Sequence, residues 1–211
     1  KAEPVTFSCL VNFAVEMNDG VRAKIFFDAL CKRQTPSIRA YMQMLRMQSK
    51  LKDADEAFRL LKDMEARGVG VDRLAINTAL GACVNGNDLD KAKQLMSFAK
   101  RYHGDRLDII TFNTLLKGLA LESRVEEAFE LLDDMPRYQV APNEITFNTL
   151  MDAAVRANQY ERAWAALDAM RAQGFLPDKY TWSTLAKGLK RSRDKEKKRA
   201  CHGLMQMIYE M

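Results

Sequence analysis

Three asparagines, Asn77, Asn113 and Asn148, each follow an apolar anchor (Ile76, Phe112 and Phe147) within apolar runs that have helical spacing. A primary amide both donates and accepts hydrogen bonds, so a row of amides can read a ligand whose polar edges themselves repeat. Asparagine is a poor helix former, because its side chain competes for backbone hydrogen bonds. Its recurrence inside helices therefore needs a reason. The spelling around two of the three is identical: "ITFNTL" fills residues 110–115 and again 145–150, an offset of 35. Two uses fit the column. The amides can form a ladder that bonds adjacent helices, or they can face the base edges of a single-stranded nucleic acid.

Catalytic and metal chemistry find no comparable pattern. Cys9, Cys31, Cys83 and Cys201 have no C-x-x-C spacing, and only His103 and His202 could help them. A zinc site is not expected, and each cysteine falls where a small apolar residue packs. Reduced thiols fit a cytosolic or organelle-matrix compartment. No cluster of metal-binding carboxylates and no H-x-E motif occurs, so no catalytic residue, metal or cofactor is assigned. Apolar residues make up 47% of the 211 residues, enough for a continuous core. No apolar run reaches the roughly 18 to 20 residues that span a bilayer, so a membrane partner is not expected.

The elements that must position the amides repeat with them. An alanine recurs fifteen residues after each column member, pairing Asn77 with Ala92, Asn113 with Ala128 and Asn148 with Ala163. Extending the frame backwards pairs Met42 with Ala57 and Ser8 with Ala23. The units are then 4–37, 38–72, 73–108, 109–143, 144–178 and an irregular, partial 179–211, in which Ser183 takes the amide column. Each unit carries two apolar stripes of helical period. One is Phe112, Leu115, Leu116 and Leu119; the other is Ala128, Leu131, Leu132 and Met135. Gly68 and Gly174 follow second helices, and Pro36, Pro142 and Pro177 close units, while Pro136 should end its helix early. A single hairpin of this size cannot bury its apolar face, but stacked hairpins can. The expected fold is all-α, a right-handed α-solenoid of stacked helix-turn-helix hairpins in one array. Lys1 and Met211 within this pattern suggest an excerpt of a longer chain.

The aromatic–Asn–Thr–Leu start, central Ala, late Met and Pro–Asp or Pro–Asn ending resemble the pentatricopeptide repeat family in its 35-residue form. The resemblance is strongest over residues 73–178. A tetratricopeptide array would show Trp, Leu–Gly and Tyr columns that are missing here. The resemblance implies binding of single-stranded RNA, one base per repeat, read by the amide column together with the last residue of the unit. The reading pairs it implies are Asn77 with Asp108, Asn113 with Asn143, and Asn148 with Asp178. Asn with Asp would favour uracil and Asn with Asn either pyrimidine, giving U, pyrimidine, U from 5′ to 3′. Ser183 would lean toward a purine. Met42 cannot bond a base edge, and Ser8 with Ser37 is no clean pair. Leu74, Ile110, Ile145 and Val5 resemble the family's wedges between bases, with Arg39 and Tyr180 in that column elsewhere; ordinary packing at the helix start is the other reading.

Phosphates need cations. Lys50, Arg156 and Arg191 share a place near the end of the first helix, where resemblance suggests backbone contacts. The net charge is +5, yet residues 187–199 hold eight basic residues against two acidic ones and leave the remainder near −1. Lys190, Arg191 and Arg193 in that run form either a solvated helix end or a surface facing a polyanion. The leading expectation is a non-enzymatic, RNA-selective array with no small-molecule substrate; the resemblance implies that its RNA is organellar, in the matrix of a chloroplast or mitochondrion. The alternative is a scaffold subunit of a larger organellar assembly, such as a ribosome or transcription complex, contacting protein or structured RNA.

Overall fold

The structure is a computed structural model and describes residues 4–191. Among the described residues eleven α-helices form five successive pairs followed by α11: α1 (Pro4–Glu16), α2 (Gly20–Cys31), α3 (Ile38–Leu51), α4 (Ala54–Ala66), α5 (Arg73–Asn85), α6 (Leu89–Tyr102), α7 (Ile109–Leu121), α8 (Val125–Asp134), α9 (Glu144–Arg156), α10 (Tyr160–Ala172) and α11 (Lys179–Arg191). The described residues include no β-strand. Two compact units divide the chain, Lys1–Leu115 and Leu116–Met211, and the division falls inside α7.

Local chemistry sets the helix ends. Asp19, Asp53 and Asp88 cap α2, α4 and α6 by accepting from the backbone N–H three residues on. The turn inside each of the five hairpins from α1 to α10 passes through one left-handed residue, Asn18, Lys52, Asn87, Ser123 or Asn158. Gly68 and Gly174 carry the chain out of α4 and α10 at φ values of +66° and +84°, where a side chain would be strained. Pro136 acts as its position predicts: α8 stops at Asp134 and a 3-10 turn, Met135–Tyr138, follows. A second 3-10 turn, Gly104–Arg106, leads from α6 toward α7 and absorbs the extra residue of the 36-residue stretch 73–108.

In the first unit, α1 packs on α3 and α3 on α5, while α4 lies against α5 and α6. The recurring alanines Ala23, Ala57 and Ala92 are fully buried, as are Leu30, Met64 and Ala99 seven residues after them. A methyl group at the crossing lets helices approach, and the longer side chains fill the space left beyond it. Tyr41 is buried edge-on against Phe27, their centroids 5.1 Å apart, and its hydroxyl donates to Asp63 Oδ2 at 2.5 Å. Cys83 is buried here too, and burial pushes its thiol up to about 12. In the second unit, α9 packs against α8, α10 and α11. Phe147, Leu150, Met151, Ala163, Met170 and Trp182 are buried around it.

Close approach at the alanine column is the feature that sets helix spacing. Ala92→Leu should therefore lower unfolding stability by ~1–3 kcal/mol through overpacking. Urea unfolding followed by circular dichroism measures this; an unchanged midpoint would show that spacing at α6 is set elsewhere.

Candidate nucleic-acid interface

The first helix of a hairpin presents N–H groups with no intrahelical partner at its start. The residue just before the helix supplies the acceptor. Asp72 accepts from Ala75 N at 2.7 Å, Asp108 from Thr111 N at 2.9 Å, Asn143 from Thr146 N at 3.1 Å and Asp178 from Thr181 N at 2.8 Å. Ser37 does the same for α3 through Ala40 N at 3.3 Å. The residues that end the sequence units are thus helix N-caps.

Asn77 belongs to the same polar cluster as the next cap. Its Nδ2 donates to Asp108 Oδ1 at 3.1 Å, and its Oδ1 accepts from the Thr111 hydroxyl at 2.6 Å. Thr111 in turn accepts from the Asp108 backbone N–H at 3.3 Å, completing a reciprocal cap. The second unit repeats the amide–threonine contact at Asn148, whose Oδ1 lies 2.8 Å from the Thr181 hydroxyl. That hydroxyl also sits 2.8 Å from Asp178 Oδ1, so it bridges amide and carboxylate. Thr111 and Thr181 are fully buried, Asn77 is half-buried, and Asn148 keeps only 9% of its surface exposed. The ladder between helices that the sequence allowed is therefore present at both sites. Asn113 lies half-buried on α7, and Asn143 caps α9 in a capping box with Thr146; both have hydrogen-bonding or electrostatic partners.

Burial opposes ionisation of Asp108, but donors from the Thr111 backbone, the Asn77 amide and the Thr111 hydroxyl, with the charge of Arg73, outweigh it and hold the carboxyl below its ordinary range. Asp178 is held low chiefly by the Thr181 backbone N–H, against burial, with the Thr181 hydroxyl assisting. The positive end of the helix dipole acts in the same direction. Both caps are anionic near neutral pH.

The aliphatic column does not pack at the helix start. Leu74, Ile110, Ile145 and Tyr180 are exposed by 49%, 58%, 62% and 59%, and Val5 and Arg39 are exposed as well. Each lies three residues before a member of the amide column, which places the two on one helix face. Thr78, Thr114 and Thr149 donate to the carbonyls of Leu74, Ile110 and Ile145 at 2.7 Å, tying the face to its own backbone. Ser183 is exposed on α11, three residues from Tyr180. Lys50 is exposed, and Arg156 is paired with Asp152 at 2.6 Å in a surface ion pair of the kind that is weak and easily exchanged. Lys190 and Arg191 fall in the last turn of α11, while Arg193 lies outside the described residues. Met42, in the amide column, is buried.

Among the described residues, no group of three His, Cys, Asp or Glu side chains could hold a metal, and no helix is long and apolar enough to cross a membrane. The sequence reading missed Thr111, Thr146 and Thr181 as members of these clusters. Their signal was legible as D-x-x-T, N-x-x-T and D-x-x-T, a cap followed by its reciprocal partner.

The profile of the PPR repeat family matches residues 107–154 and 142–191, and that of the PPR repeat matches 39–69. The chain belongs to the pentatricopeptide repeat family. It is 27% identical over 136 residues to a pentatricopeptide repeat-containing protein of Arabidopsis thaliana, a match covering 64% of this chain and 15% of that protein. A second Arabidopsis thaliana pentatricopeptide repeat-containing protein, named chloroplastic, is 26% identical over 110 residues, covering 52% of this chain and 22% of its own length. The matches thus span less than a quarter of either relative. The fold is shared with the PPR domain of Arabidopsis thaliana protein-only RNase P 1, solved in complex with tRNA. That likeness has a TM-score of 0.69 at 16% identity and covers 89% of this chain and all of that one. The pentatricopeptide hairpins are those of an α-solenoid.

The depressed caps give a pH signature. Asp108 is lowered in the folded chain relative to an unfolded value near ~3.9, so its contribution is complete above that value and is lost as pH falls through the lowered one. Asp108→Asn keeps a good cap but removes the charge, and should cost less than ~1 kcal/mol near neutrality. Thermal melts should show the gap between the two proteins closing below pH ~4. A gap independent of pH down to 3 would contradict the assignment.

Proposed function

We propose that this chain is a sequence-selective RNA-binding array, with Asn77 and Asp108, Asn113 and Asn143, and Asn148 and Asp178 as its base-reading pairs. One observation carries the reading: an exposed apolar side chain sits three residues before a held amide, on one helix face, at both clusters. A base slid against Leu74, Ile145 or the Tyr180 ring gains an apolar contact, and its edge then meets the amide of the same face. Stacking of this kind requires unpaired bases, which favours a single strand.

The pairs suggest which bases. Uracil offers an N–H at N3 flanked by carbonyl oxygens. The amide Nδ2 donates to a carbonyl, and the anionic cap accepts the N–H directly or through water. Cytosine presents a lone pair at N3, which an anionic Asp108 or Asp178 repels and a neutral Asn143 can meet as a donor. The expected reading is U, pyrimidine, U from 5′ to 3′, with Ser183 leaning toward a purine. Lys50, Arg156, Lys190, Arg191 and Arg193 are the candidates for phosphate contacts. A plant relative named chloroplastic supports an organellar location; the proposed action there is on transcripts, by occupancy.

Asn77→Ala combined with Asn148→Ala should weaken binding to a uridine-rich strand by ~1–3 kcal/mol per base contact. Fluorescence anisotropy titration measures it. Selection from a random RNA pool should return three or four ordered bases rich in pyrimidines. Equal affinity of both proteins, or no enrichment while partner proteins are recovered from extracts, would replace this reading with the scaffold.

A further inference from the structure

We propose that the threonine at the third position of the following helix is a third member of each reading unit, a positioning residue that fixes the amide for its base. The inference rests on the base-reading function proposed above and names what sets its selectivity. Thr111 for Asn77 and Thr181 for Asn148 are the two members whose geometry is seen.

The geometry is directional. The Thr111 oxygen accepts the Asp108 backbone N–H at 3.3 Å, which turns its single proton outward. The hydroxyl lies 2.6 Å from Asn77 Oδ1 and 2.9 Å from Asp108 Oδ1, which already receives the Thr111 N–H at 2.9 Å and Asn77 Nδ2 at 3.1 Å, so the amide oxygen is its nearer and less committed acceptor. An amide held from both ends cannot exchange its oxygen and nitrogen. One N–H of Nδ2 and one lone pair of Oδ1 remain to meet a ligand, in a fixed order along the edge. Ordering of the side chain is then complete before binding, which is the part of the cost that preorganisation removes. The Thr181 hydroxyl lies 2.8 Å from Asn148 Oδ1 and also 2.8 Å from Asp178 Oδ1, so it bridges the two, and both threonines are fully buried. Burial leaves the hydroxyl no direct route to a ligand, so its effect must pass through the amide.

The sequence columns give an independent observation. Threonine follows every asparagine of the amide column: Asn77 and Thr111, Asn113 and Thr146, Asn148 and Thr181. Where the column holds another residue, the same place is alanine: Ser8 is followed by Ala40, and Met42 by Ala75. Capping alone does not explain this split. Ser37 and Asp72 cap their helices through Ala40 N and Ala75 N without a threonine. The hydroxyl is present where there is an amide to hold.

The test uses the 211-residue chain with 12-nucleotide oligouridylate and oligocytidylate as probes. Thr111→Val and Thr181→Val should each lower the preference for uridylate about five-fold, the effect of one lost hydrogen bond. Thr111→Ser and Thr181→Ser should retain it, and circular dichroism melts would report any loss of capping separately. In an Asn77→Ala background, Thr111→Val should change nothing further, because the amide it acts through is gone. If Asn77→Ala reduces the preference while Thr111→Val leaves it unaltered, or if the two effects multiply, threonine is only a helix cap and the proposal is overturned. If Asn77→Ala and Asn148→Ala themselves alter neither affinity nor preference, base reading fails, and the positioning role falls with it.

Discussion

Everything in this fold turns on the unpartnered N–H groups at the start of each hairpin's first helix. They need an acceptor from the residue just before, and from α3 to α11 the chain supplies one each time: Ser37, Asp72, Asp108, Asn143 and Asp178. These are the residue types that cap helices best, and they are close to equivalent in that task. Near-equivalence has a consequence. Stability requires a short polar side chain at the junction but scarcely distinguishes Asp from Asn, so the charge at that place is free to serve recognition. Asp108 and Asp178 present an anion, and Asn143 presents a donor as well as an acceptor, with little effect on the helices they start.

The amide column follows from the same junction. A polar side chain facing a neighbouring helix must be bonded there, because an unsatisfied buried amide costs more than the bond returns. Asn77 and Asn148 meet that requirement through the next helix's cap region. The apolar residues three positions earlier break the opposite rule by staying in water. Isolated exposed aliphatics are ordinary on protein surfaces. Here Leu74 and Ile145 each stand three residues before a held amide, and Ile110 stands at the same place before Asn113; that pairing distinguishes them from incidental surface.

Sequence alone made much of this visible, for identifiable reasons. The all-helical hairpins follow from period-3.6 apolar stripes interrupted by Gly68, Gly174 and the unit-ending prolines, signals that act locally. The early stop at Pro136 was legible because a proline ring clashes with the preceding turn wherever it stands. What the sequence left open was contact between residues some thirty positions apart. It offered two uses for the asparagines and could not choose, since Asn77 to Asp108 and Thr111 is a relation between neighbouring helices, not between neighbours in the chain. The exposure of Ile145 and its equivalents was likewise not legible, because it depends on what the neighbouring helices leave uncovered. The threonines went unnoticed because a cap box reads as helix grammar, and nothing in its spelling reveals that the hydroxyl also reaches a different helix.

The first two hairpins show that stacking does not depend on the amide cluster. Met42 fills the column position as part of the core, and Ala75 follows it without a hydroxyl. Gln43 Nε2 donates there to Asn12 Oδ1 between α1 and α3, and further polar links run along the second helices. Glu56, nearly buried, is bonded by Arg59 at 2.5 Å and 2.9 Å and by Lys24 at 3.2 Å, contacts that hold its carboxyl below the ordinary range against the cost of burial. Arg67 joins Asp63 at 2.9 Å and reaches the Cys31 carbonyl at 3.3 Å, beside the Tyr41 hydroxyl. One hairpin can therefore be held to the next through either face of the stack. If packing were the sole demand on this chain, the second-helix links would suffice, and Asn77 and Asn148 could be apolar like Met42. That they are amides, each with its threonine, is what the base-reading proposal accounts for and packing alone does not.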